Sequence, residues 1–135
     1  MSLFETSSNS NFKFFSNDFE KIKEYLGDDI PKPDGHHLLV KIFTEEETTD
    51  GGITIPEEVR NRMISISMVG LVLSMGPDCY MPEKFKNWNR RSVGDWVIFV
   101  PNEGTLFFCK DLPLRFIPDD RIYCKTNHPE FIKRT

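Results

Sequence analysis

Residues able to do chemistry are spread thinly along this chain of 135 residues. Three histidines (His36, His37, His128) and three cysteines (Cys79, Cys109, Cys124) are the candidate metal ligands. None has the CxxC or HxxxH spacing that sets ligands side by side on one turn or helix face, so no metal is expected. An odd, widely spaced set of thiols fits a reducing compartment rather than a disulfide framework, and reads as small packing groups. There is no GxSxG or HExxH motif, and Gly51-Gly52 lacks the following Lys-Ser/Thr of a phosphate-binding loop. Asp119-Asp120 form a carboxylate pair in sequence. Placed after Pro118 and ahead of an apolar run, they read as a solvated turn. His36-His37 open a strand, where one ring points outward and the other is half-buried. The expectation is a protein without catalytic residues, metal or cofactor.

One stretch stands apart, residues 44–63. Six of the seven residues after Phe43 are Thr or Glu, and Asp50-Gly51-Gly52 then frees the backbone. Ile53-Thr54-Ile55 follows at once and is closed by Pro56. Two readings stay open on this pattern. One is an ordinary hairpin whose second strand begins at Ile53. The other is a flexible loop that offers a short apolar tag to a partner and orders on binding, which lowers affinity per contact and permits release.

The elements that must position this stretch follow from periodicity. Residues 1–16 are rich in Ser and Asn and read as poorly ordered. A short amphipathic helix is predicted over 18–26, with Asn17 as N-cap, Glu20 completing a capping box, and Phe19, Ile22 and Leu26 on one face. Gly27 supplies its stop, and a helix this short must dock to be stable. Residues 31–35 (PKPDG) break the helix. Strands are then predicted over 36–43, from 64 through 75 with a change of phase near Gly70, and over 96–100, 105–109, 114–117 and 121–125. Short strands without intervening helices indicate an all-β fold, a small barrel or sandwich.

Composition sets the outer bounds. Twelve Phe, three Tyr and two Trp exclude wholesale disorder, and the length suits one domain. The longest apolar run is Trp96-Val97-Ile98-Phe99-Val100, far short of the ~20 residues of a membrane helix. Seventeen basic against 21 acidic residues, with no basic stripe, argue against a nucleic-acid partner. The N-terminus shows no signal-peptide pattern, which suggests a cytoplasmic protein.

Five blocks of residues carry a resemblance. They are His36-His37-Leu38-Leu39-Val40-Lys41; Gly51-Gly52-Ile53-Thr54-Ile55-Pro56-Glu57; Val69-Gly70-Leu71-Val72-Leu73-Ser74-Met75-Gly76-Pro77-Asp78; Val93-Gly94-Asp95-Trp96-Val97-Ile98-Phe99; and Arg115-Phe116-Ile117-Pro118-Asp119-Asp120-Arg121-Ile122. In this order they resemble the chaperonin-10 (GroES) co-chaperonin family, especially its divergent bacteriophage versions, over residues 35–125. The resemblance implies a small irregular GroES-like β-barrel that assembles into a seven-membered ring. It implies a mobile loop whose Gly51, Gly52, Ile53, Thr54 and Ile55 dock on a GroEL-type chaperonin, with ATP bound by that partner and not by this chain. It further implies a lid that assists folding of a client such as a phage capsid protein in the host cytoplasm. Thr54 departs from the aliphatic residue common at the middle of the tag. The insert over 77–92 carries Tyr80, Phe85 and Trp88 near the family's roof hairpin. Those rings either line a roof or fold back onto the barrel, the second being favoured. The chain is accordingly divided into an N-terminal extension (1–34), the barrel domain (35–125) and a C-terminal tail (126–135). The alternatives are a phage structural or assembly protein of the same fold without chaperonin binding, and a β-barrel interaction module.

Overall fold

The computed structural model describes residues 17–44, 58, 62, 64, 67–85, 91–101 and 103–132. They include the helix α1 (Phe19–Leu26), three short 3-10 turns (Gly27–Asp29, Asp119–Arg121, Pro129–Phe131) and six strands, and Glu58, Arg62 and Ile64 are also helical. The strands are β1 (His37–Ile42), β2 (Val69–Met75), β3 (Trp96–Phe99), β4 (Thr105–Cys109), β5 (Leu112–Pro118) and β6 (Ile122–Thr126). All pairings are antiparallel, in one sheet of order β4-β5-β1-β2-β3-β6. The protein is thus all-β, as the strand pattern predicts.

The connections force the sheet to curl. In the order above β5 and β6 lie four strand spacings apart, roughly 19 Å if the sheet were flat. Only the 3-10 turn Asp119–Arg121 joins them, and such a turn rises about 2 Å per residue. β3 and β4 are four spacings apart as well, joined by residues 100–104. Both links close only if the two ends of the sheet approach each other, which gives a barrel-like interior.

That interior is one apolar cluster holding Leu38, Val40, Ile42, Val72, Val97, Phe99, Ile117 and Ile122, joined by Ile64, Tyr80 and Phe85. The outer face of β1, β2 and β5 carries a second cluster of Leu39, Leu71, Leu73, Leu112 and Leu114. α1 covers it with Ile22 and Leu26, both 1% exposed, and with half-buried Phe19 and Tyr25. Burying each aliphatic side chain contributes about 1.5–3 kcal/mol, which is what holds so short a helix in place. The helix therefore packs on its own sheet.

Several predicted details shift for physical reasons. The N-cap is Asp18, whose carboxylate accepts from the Lys21 amide at 3.0 Å; Asn17, the predicted cap, is engaged elsewhere. Ile64 is helical and buried, so the strand predicted from 64 begins at Val69. The break in β2 lies not at Gly70 but near Leu73, where Leu39 faces Ser74 and Val40 faces Val72 across a bulge. The bulge turns Met75 toward the inner cluster although Leu71 and Leu73 face outward. Gly70 serves close packing instead: a Cβ there would stand 3.0 Å from the Val40 side chain and 3.1 Å from Phe99. β5 starts two residues earlier than predicted. Pro113 is tolerated because β1 pairs only with Leu114–Pro118, so no ladder bond to β1 requires its missing N–H.

β4 and β5 meet in a two-residue turn, Lys110-Asp111, with φ of 50° and 66°. Both angles are positive, the signature of a type I′ hairpin, which favours Gly at its second position. Lys110 also bridges Asp29 at 2.7 Å and so has a second role; Asp111 has no comparable tie. Asp111→Gly is expected to raise stability by about 0.5–1 kcal/mol. The check is a urea titration, where the midpoint should rise with the slope unchanged; a lower midpoint would refute strain at this turn.

Candidate functional site

Residues 43–68 join β1 to its antiparallel neighbour β2, so both ends of the segment predicted to carry the tag are fixed in adjacent strands. The stem closes with Ile42 opposite Gly70 and with the Phe43 amide donating to the Val69 carbonyl at 3.0 Å. Phe43 packs edge-on against Trp96 at 5.5 Å between centroids, tying the stem to β3. Gly51, Gly52, Ile53, Thr54 and Ile55 lie outside the described residues.

At the root of the segment stands a polar cluster that the sequence pattern does not announce. Lys41 sits between Val40 and Ile42 in β1 and is 0% exposed. Its cross-strand partners are Leu71 and Leu114, both in the outer apolar cluster. The Lys41 ammonium donates to Asn17 Oδ1 and to Thr44 Oγ1, each at 3.0 Å. The Asn17 amide meets the Thr44 backbone at both ends, donating to its carbonyl at 2.6 Å and accepting from its N–H at 3.2 Å. Both acceptors of Lys41 are neutral, and no carboxylate among the described residues pairs with it. Burial lowers its pKa from the ordinary 10.5 to about 7. Asn17 is the residue that sequence reasoning assigned to a helix cap. The available signal was a lysine inside an otherwise apolar strand, which needs polar company.

The insert residues fall in a second place. Tyr80 and Phe85 are 5% and 7% exposed and join the inner cluster, with their rings edge-on at 4.9 Å. Trp88 lies outside the described residues. Tyr80 adopts a φ of 55° and is pinned to the turn between β5 and β6. Its amide donates to Asp119 Oδ2 at 3.0 Å and its hydroxyl to the Asp119 carbonyl at 3.1 Å. Burial pushes the hydroxyl pKa well up, so it stays a donor. Asp119 is 1% exposed, which corrects the solvated turn expected there; Asp120 alone faces solvent. Arg91 is also buried, lying 5.6 Å from the Tyr80 ring and donating to the Tyr123 carbonyl at 3.1 Å. These contacts are structural: they fasten the insert to the barrel corner.

The remaining chemistry-bearing residues stay apart. His36 is exposed and His37 half-buried, as predicted, with ring centroids 4.7 Å apart. No disulfide joins the cysteines: Cys79 is buried, Cys109 half-buried and Cys124 exposed. Among the described residues no helix is long and apolar enough to cross a membrane.

The all-β sheet curls toward a barrel, and residues 43–68 join its first two strands, which defines a small β-barrel scaffold. The sequence matches the family described as "Chaperonin 10 Kd subunit" over residues 31–126. It is similar to "Co-chaperonin GroES" of Holospora obtusa, 35% identical over 74 residues, which cover 55% of this chain and 73% of that protein. It is also similar to "Co-chaperonin GroES" of Pseudothermotoga lettingae, 30% identical over 93 residues, covering 69% of this chain and 92% of that protein. The chain belongs to the chaperonin-10 family. That family is non-enzymatic, and this chain is not an enzyme.

Two expectations follow from the buried polar groups. Asp119→Ala leaves the Tyr80 amide without its acceptor and should cost about 1–3 kcal/mol, whereas Asp119→Asn keeps an acceptor oxygen and should cost less. Equal losses in urea titrations would contradict the assignment. For Lys41 the folded-state pKa lies below that of the unfolded chain, so between about 7 and 10.5 the unfolded chain holds more protons. This group's contribution to stability therefore grows as pH rises through that window and is lost as pH falls back to about 7. Lys41→Met should flatten that part of the pH profile and be neutral or stabilising near pH 7. An identical profile in the variant would place the titration elsewhere.

Proposed function

We propose that this chain is a co-chaperonin subunit that caps a GroEL-type chaperonin through Gly51, Gly52, Ile53, Thr54 and Ile55. The reading rests on the chaperonin-10 match across residues 31–126, together with the position of the apolar tripeptide between two neighbouring strands. Ile53 and Ile55 are the anchors. Each contributes about 1.5–3 kcal/mol when buried in an apolar groove, so a single copy binds weakly. A ring of linked copies, seven by the family resemblance, raises avidity through effective concentration while each contact stays weak enough to release. Thr54 carries a hydroxyl at the middle position, which lowers the apolar area offered and tunes the tag toward a groove with a polar partner for it. The nucleotide belongs to the chaperonin. The compartment is the cytoplasm, and in the phage-borne setting that the sequence resembles, a large capsid subunit is the fitting client.

Native mass spectrometry of the chain with and without a GroEL-type chaperonin tests this directly. A heptamer that joins the chaperonin only with ATP or ADP is expected, and a monomer that never joins would overturn the proposal. Ile53→Asp should leave the barrel folded and weaken ring docking well beyond tenfold, because one unpaired carboxylate enters each groove. Unchanged docking would show that the tag lies elsewhere. Residues 44–63 should gain protection from protease on docking, and equal cleavage in both states would count against a lid.

A further inference from the structure

We propose that Asn17, Lys41 and Thr44 form an acid-released latch that fastens the N-terminal helix to the point where the chain leaves β1. Three observations carry this. First, the cluster joins two segments that are distant in sequence: Asn17 immediately precedes the cap of α1, and Thr44 lies two residues past the end of β1. Four hydrogen bonds of 2.6–3.2 Å link the three residues, and the Asn17 amide grips the Thr44 N–H and carbonyl together. Second, Lys41 is wholly buried, and its two acceptors are neutral oxygens. Third, among the described residues no side chain facing Lys41 supplies a compensating charge. From β2 and β5 it faces Leu71 and Leu114, and the neighbouring outward positions are Val69, Leu73, Leu112 and Phe116. β3 contributes Trp96 to this face. The charged groups at the start of α1, namely Asp18, Glu20 and Lys21, are exposed.

A protonated lysine in such a place is destabilised until water reaches it. Water reaches it most cheaply when Asn17 lifts off Thr44, since this breaks the latch without disturbing the sheet ladder. The direction in which burial shifts Lys41 agrees: the closed latch favours the neutral amine, and protonation favours the open one. Opening frees Asn17 and Thr44 together. Acidity thereby couples the start of α1 to the point where the chain leaves β1. The device belongs to the barrel itself and stands whatever the segment binds.

Hydrogen exchange of the full chain, corrected for intrinsic rates, reads the latch through the Thr44 amide. In the wild type Thr44 protection should fall by up to about tenfold per pH unit as pH drops from 10.5 toward about 7, one proton being taken up on opening, and should level off below that. The Val72 amide, bonded to the Asp95 carbonyl at 2.9 Å, should stay unchanged over the same range. Lys41→Met should leave Thr44 protected at every pH, and Asn17→Ala should leave it unprotected at every pH. Thr44 protection that ignores pH in the wild type, or that falls equally in Lys41→Met, would overturn the latch. Should Lys41→Met not fold, the Lys41 Nζ resonance decides. Titration in step with Thr44 protection supports the proposal, and a lysine charged throughout the range overturns it.

Discussion

A three-residue turn, Asp119–Arg121, must carry the chain from β5 past the positions of β1, β2 and β3 to reach β6. Much of the packing answers to that constraint. A sheet bent enough to close this link has a narrow interior, and the inner side chains are chosen for it. Gly70 lets Val40 and Phe99 approach, and Tyr80 reaches across to the turn itself. The turn cannot be a loose loop, because it is the corner on which closure depends. Burying Asp119 there lets one carboxylate and one carbonyl fasten residues 77–85 to the corner. A serine or alanine in its place would leave the Tyr80 amide unpaired.

Curling also explains the helix. An outer face carrying Leu39, Leu71, Leu73, Leu112 and Leu114 is too apolar to leave in water. α1 covers it and is held at both ends. At its start Asn17 grips Thr44. At its end the Tyr25 hydroxyl donates to the Lys110 carbonyl at 3.2 Å, and Asp29 meets the Lys110 ammonium at 2.7 Å. The exposed ion pair adds little by itself, so the leucine face does most of the holding and the polar contacts set the direction in which the helix lies. β1 is buried on both sides as a result, with Leu38, Val40 and Ile42 inward and Leu39 and Lys41 outward.

The strands were legible in the sequence because each is a short apolar run between turn residues, and that signal survives any tertiary arrangement. What was not legible is what depends on partners far along the chain. Asn17 and Asp18 are equally good caps by type; only Thr44, 27 residues away, decides which one turns elsewhere. Asp119 reads as a turn residue facing water, and it is buried because Tyr80 folds back from 39 residues earlier. The face of Met75 depends on a bulge that its own strand's alternation does not reveal. Lys41 is an ionisable side chain set between Val40 and Ile42 and facing Leu71 and Leu114, a local inconsistency of the kind that marks a functional or strained position. The tag Ile53-Thr54-Ile55 is legible as a motif and by family resemblance, and its geometry lies outside the described residues.

On the proposed function, the stem of the segment between β1 and β2 serves a contact that must be weak and yet well directed. Weak anchors bind usefully only when many act together, and they act together only if each leaves its subunit in the same direction. A stem on an exposed edge strand would let that direction wander. Here the segment leaves from β1, which lies inside the sheet and has both faces covered, and returns into β2, its direct neighbour. The rigidity needed for avidity is thus supplied by the barrel and the helix, which leaves the short apolar tripeptide free to be modest in strength. On the proposed reading, this is why a chain without catalytic residues gives its most buried strand to holding the base of a loop.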